Sequence, residues 1–125
     1  MNQPERYESY VLEPDQTKMT YITDTRMKNC GTFKVLKEDH TLGNIIRMQL
    51  LQDESIIFAG YKVPHPLDHE LIIKVRTDGS KTTVGAMLDA TEELIQSLKF
   101  TSEKLWKQVA QKNDKRGVTM NFNNI

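Results

Sequence analysis

One periodicity limits this chain more than any other feature. From Val84 onward, Leu88, Thr91, Ile95, Leu98, Ser102, Leu105 and Val109 recur at alternating steps of four and three, the spacing of a helix-packing seam. Thr82 is the expected cap, and the pattern predicts a helix over Thr82 to Gln111. Such a helix is about 45 Å long at 1.5 Å per residue, whereas a compact chain of this size has a radius of gyration of about 14 Å. Its far end is therefore expected to overhang the domain. An overhanging apolar stripe is the kind of patch that marks an interaction surface. Thr91 and Ser102 weaken the stripe, Met87 and Leu94 widen its first half, and beyond Leu98 it narrows to Leu105, Trp106 and Val109. The alternative is a break near Thr101 and Ser102, with the remainder folding back.

The rest of the composition narrows the class. With 125 residues, one domain over residues 1–111 is expected, able to bury roughly two-thirds of its unfolded surface, followed by a polar C-terminal tail over 112–125. Lys plus Arg equal Asp plus Glu at 17 each, which argues against a domain built to neutralise phosphates. The single Cys30 cannot form an internal disulfide, which favours a reducing compartment. The opening Met1-Asn2-Gln3-Pro4-Glu5-Arg6 has no apolar leader core, and no apolar run approaches the roughly 18 residues of a membrane span. A soluble, intracellular protein is the expectation.

Residues 1–16 read as an arm with one tethered patch at Tyr7, Tyr10, Val11 and Leu12. Met19 to Ile22 and Thr32 to Lys37 are β-favouring and predict a hairpin with a loose connection through Asn29-Cys30-Gly31. Thr41 is the expected N-cap of a helix from Leu42 to Gln52, with Asp39 just ahead at the positive end of the dipole. Leu42, Ile45, Ile46 and Leu50 form its apolar face, and Met48 and Leu51 extend it sideways. An arc that wide predicts contact on two sides. Ile56 to Val63 begins apolar on both faces, as a strand covered above and below, and Pro64 and Pro66 end it. Leu71 to Arg76 alternates cleanly, with Leu71, Ile73 and Val75 inward.

No catalytic set accompanies this frame. Gly79-Ser80-Lys81-Thr82 lies between a strand and a helix, but a phosphate loop needs glycines where Val75 and Ser80 stand. His65 and His69 have the four-residue spacing of zinc ligands on a helix, which Pro64 and Pro66 oppose. Asp39 and His40 resemble half a triad, yet capping by Asp39 and Thr41, with His40 at the helix mouth, accounts for them. Tyr61 and Lys62 face opposite sides of a strand. No metal and no cofactor is expected. Lys107, Lys112, Lys115 and Arg116 suit a helix C-terminus better than an RNA-binding tail.

Asp39-His40-Thr41-Leu42-Gly43-Asn44-Ile45-Ile46-Arg47, followed by Phe58-Ala59-Gly60-Tyr61-Lys62-Val63-Pro64-His65-Pro66-Leu67, resembles the signature of the alpha-subunit superfamily of cellular RNA polymerases. Within it the chain is most similar to the small alpha-like assembly subunits of eukaryotic RNA polymerase II, relatives of the archaeal L subunit and of the N-terminal domain of bacterial alpha. The resemblance is strong over Glu38 to Thr77, weaker over Met1 to Lys37, and one of pattern only in the long helix. It implies an α+β fold in two layers: a four-stranded, mainly antiparallel sheet packed by one short and one long helix. It also implies a non-catalytic nuclear subunit, an obligate heterodimer with the larger, third alpha-like subunit, on which the large catalytic subunits assemble. Carried over, the heterodimer contacts fall on Leu42, Ile45, Ile46, Met48, Gln49, Leu88, Ile95, Leu98 and Leu105, and contacts to a large subunit on Arg47, His65 and His69. Neither sequence-specific nucleic-acid contact nor a membrane is implied. The competing readings are the equivalent subunit shared by polymerases I and III, and a homodimeric nucleic-acid-binding module using the basic tail. Thr82-Thr83-Val84-Gly85 departs from the usual start of the long helix, with Gly85 costing about 1 kcal/mol relative to Ala.

Overall fold

Alternation in β4 (Glu70–Thr77) sets the frame. Leu71, Ile73 and Val75 are completely buried, while Ile72, Lys74 and Arg76 on the other side are only half-covered. A computed structural model describes residues 3–116. Its elements run in the order of a 3-10 turn at Arg6–Ser9, β1 (Met19–Thr23), β2 (Cys30–Leu36), α1 (His40–Leu51), β3 (Ile56–Lys62), β4 and α2 (Thr83–Lys115). The strands form one antiparallel sheet in the order β1-β2-β4-β3. The fold is thus the expected α+β arrangement of four strands with a short and a long helix.

Register explains which side chains meet. Phe33 pairs with Ile73 and Val35 with Leu71, Tyr61 and Ala59 pair with Ile73 and Val75, and Tyr21 pairs with Phe33. All these lie on one face, because side chains two apart along a strand share a side. Helix α1 covers that face through Ile46 and Leu50, buried at 7% and 0% exposure. Gly43 permits the approach: a Cβ there would stand 2.6 Å from Tyr61 Cδ2 and 2.7 Å from Leu71 Cδ1. The hydroxyls of Tyr21 and Thr83 hydrogen-bond at 2.5 Å, tying the first turn of α2 to the same face.

Several local expectations change. Asp39, not Thr41, is the N-cap of α1: its carboxylate accepts the Thr41 N–H at 3.0 Å, and the helix begins at His40. Cys30 and Gly31 belong to β2 rather than to the preceding loop. Gly31 lies beneath the Tyr21 ring, where no side chain fits, and Asp24 closes the loop instead by accepting from the N–H groups of Arg26 and Met27. Lys37 leaves the strand because it takes φ 60°, and its N–H turns to His69 O. β3 is not covered above and below. It is an edge strand with a bulge between Ile56 and Phe58, and Ile57 and Phe58 are 58% and 48% exposed. In the N-terminal arm, Tyr7, Tyr10 and Val11 are exposed rather than packed, the arm being tied by Lys37 Nζ donating to Glu8 O at 2.6 Å.

Helix α2 is continuous from Thr83 to Lys115 and does not break at Thr101 and Ser102, where Thr101 Oγ1 donates back to Ser97 O. Thr82 Oγ1 accepts the Gly85 N–H at 3.0 Å, the capping contact expected of it. The helix runs past Gln111 through Lys115, so the first residues assigned to the tail are helical, and the remainder of the tail lies outside the described residues. Packing divides the chain between Thr91 and Glu92. In the first unit α2 buries Thr83, Ala86, Met87 and Ala90, whereas in the second none of the described residues is buried.

Candidate subunit interface

The apolar residues left in water by the fold carry the functional information. On α1, a 100° step per residue places Ile45, Met48 and Leu51 beside the buried pair Ile46 and Leu50, and these three remain 43%, 56% and 50% exposed. Half of the helix's apolar arc therefore serves the core and half does not. Of the remaining predicted contacts on this helix, Leu42 and Gln49 are half-buried, and Ile46 lies within the chain's own core. The first turns of α2 repeat the division: Met87 is buried at 5%, and its neighbours Val84 and Leu88 are 41% and 64% exposed.

The second unit carries its own stripe. Ile95, Leu98 and Leu105 are 48%, 66% and 56% exposed, and with Ser102 and Val109 they follow steps of three and four along one side of a helix. Phe100, 62% exposed and 5.4 Å from Lys104 Nζ at its ring centre, lies off that stripe. Strict seam spacing passes over it, although an aromatic among charged residues in a helix is itself a signal. Solvated leucines at this spacing have little use except to be covered, since each fully buried Leu is worth about 1.5–3 kcal/mol.

Among the polar candidates, Arg47 is the one placed differently from its sequence reading. Arg47 is not splayed into solvent. Its Nη2 donates to Asn44 Oδ1 at 2.7 Å, its guanidinium stands 6.0 Å from the Tyr61 ring centre, and its Nε is buried without an acceptor among the described residues. His40 packs edge-on to Tyr61, its Nδ1 3.2 Å from the hydroxyl. Asp39 turns to the Thr41 backbone instead, so the two do not act as a pair. His65 and His69 are exposed, and His65 Nδ1 accepts the Leu67 N–H at 3.2 Å. Among the described residues no group of three or more His, Cys, Asp or Glu is placed to hold a metal.

One charged cluster fixes the approach to α2. Lys81 Nζ lies 2.6 Å from Asp53 and 2.9 Å from Asp89. The Lys81 hydrogen bond, with those from Ser55, holds the Asp53 carboxyl down at about 2. The same two carboxylates, Asp53 first, raise the Lys81 ammonium above its ordinary value. The cluster joins the residues after α1 to those before α2.

Residues 30–104 match the family described as the RNA polymerase Rpb3/Rpb11 dimerisation domain. The chain is 45% identical over 102 residues to DNA-directed RNA polymerase II subunit rpb11 of Dictyostelium discoideum, covering 82% of this chain and 83% of that one. It is 46% identical over 98 residues to DNA-directed RNA polymerase II subunit RPB11 of Schizosaccharomyces pombe, covering 78% and 79%. In fold it is similar to DNA-directed RNA polymerase subunit L from Thermoplasma acidophilum, with a TM-score of 0.63 at 21% identity over 79% of this chain and 96% of that one.

Proposed function

Because this chain belongs to the RNA polymerase Rpb3/Rpb11 dimerisation-domain family, on the branch of the RNA polymerase II RPB11 subunits, we propose that it is an assembly subunit of RNA polymerase II without catalytic residues of its own. Its partner is the third, alpha-like subunit, and the pair is the platform on which the large catalytic subunits assemble in the nucleus. The observation that carries the reading is the exposure of aliphatic side chains on both helices, at Ile45, Met48, Val84, Leu88, Ile95, Leu98 and Leu105. Leu42 and Gln49 form the half-buried margin of that contact. Ile46 supports it from beneath by holding α1 against the sheet.

His65 and His69, exposed beyond β3, are the proposed contacts with a large subunit. Arg47, half-buried on α1, is the third proposed contact. The deciding experiment is the double substitution Leu98→Asp and Leu105→Asp. It places carboxylates where apolar surface is to be buried, and an unpaired buried charge is strongly unfavourable. Co-purification with the third subunit is expected to be lost. Stoichiometric recovery of the pair by that variant overturns the proposal.

A further inference from the structure

The sheet has a second face, turned away from α1 and from the first turn of α2, and it is only partly covered and not uniform. Register puts Phe58, Gly60 and Lys62 of β3 beside Ile72, Lys74 and Arg76 of β4 on that side. Gly60 has no side chain, and a Cβ there would lie 3.0 Å from Phe58 Cζ. The phenyl ring therefore lies along its own strand. A groove of about 520 Å³ opens beside it, floored by Phe58 and Ile72 and flanked by Lys62 and Lys74.

The charge on this face is lopsided. Lys34, Lys62, Lys74 and Arg76 share it with Glu70, and Asp24 reaches it from the β1–β2 loop. Lys34 pairs with Glu70 at 3.4 Å and Lys74 with Asp24 at 3.6 Å. Among the described residues Lys62 and Arg76 have no ion-pair partner, and Arg76 Nε is buried with no acceptor. A neutral or basic surface laid here would strip water from these cations and return nothing, whereas an acidic one offsets that cost. Nucleic acid would satisfy the cations, but its phosphates would leave the apolar floor of Phe58 and Ile72 without apolar partners.

We infer that the face of the sheet opposite α1 is a second docking surface, and that its occupant is an acidic segment of another protein. The segment sets an aliphatic or aromatic side chain against Phe58 and Ile72 and its carboxylates against Lys62, Lys74 and Arg76. None of its residues is among those assigned to the third subunit.

The test uses assembled polymerase containing the chain. A benzophenone side chain is placed at Thr32, which lines the groove, and the cross-linked segment is sequenced after illumination. The expected product is a protein segment in which Asp and Glu outnumber Lys and Arg. Its yield should fall about tenfold in the Lys62→Glu, Lys74→Glu variant and less in the Lys62→Gln, Lys74→Gln variant. Co-purification with the third subunit should be unchanged in both, which separates failure here from failure of the helix interface. Cross-links to nucleic acid, a product rich in Lys and Arg, no product, or a yield indifferent to charge reversal overturns the inference.

Discussion

Gly43 shows how little room separates helix from sheet. Replacing glycine by alanine inside a helix ordinarily favours the helix by about 1 kcal/mol. Here the added carbon would stand 2.6 Å from the Tyr61 ring and 2.7 Å from Leu71, and overpacking of that kind costs about 1–3 kcal/mol. Gly43→Val, larger again, is predicted to lower the urea midpoint of the heterodimer clearly, and Gly43→Ala to lower it less. Asp53 supplies the pH dependence. Its folded carboxyl is held at about 2, chiefly by the Lys81 hydrogen bond, against an ordinary 3.8. A depressed acid stabilises the fold fully above its unfolded value and loses that contribution as pH falls through the folded one. Asp53→Asn is therefore predicted to melt earlier than the parent at pH 6, with the gap narrowing between pH 4 and pH 2. The capping role at α1 was half legible, since both Asp39 and Thr41 are cap residues in type. Backbone geometry chose Asp39, whose extended φ and ψ place its carboxylate on the Thr41 N–H.

At the scale of elements, one step along α2 separates a core side chain from an exposed one. Met87 is 5% exposed and Leu88 is 64% exposed, because successive helical residues are turned 100° apart. Met87→Asp is predicted to abolish soluble expression even with the third subunit present. Leu88→Asp is predicted to keep native circular dichroism and to lose the complex in pull-down. The strands were legible wherever alternation was strict, as in β4. β3 was misread because Ile56, Ile57 and Phe58 are apolar in succession, a pattern shared by a doubly covered strand and a bulged edge strand. Only pairing on one side, against β4 alone, separates the two. A wide apolar arc on α1 likewise predicted more apolar surface than the sheet covers, and Ile45, Met48 and Leu51 are exposed. It could not say that Ile46 faces inward and Ile45 outward, which depends on where the helix rests over β3 and β4.

For the molecule as a whole, both helices leave aliphatic surface in water while the net charge is zero, so little repulsion opposes sticking. Expressed alone, the chain is predicted to self-associate in a concentration-dependent way, seen in sedimentation, and co-expression of the third subunit should restore a defined species. The sequence by itself determined the two helices, the alternation that builds the sheet and the family signature in residues 38–67, because local periodicity and backbone chemistry act over a few residues. Only the tertiary structure decided which half of each apolar stripe is spent on the core, that β3 is an open edge strand, and that the back of the sheet holds a cationic apolar groove. Those depend on strand order and register, which join residues far apart in the chain, and no local pattern encodes which side of a side chain will meet water.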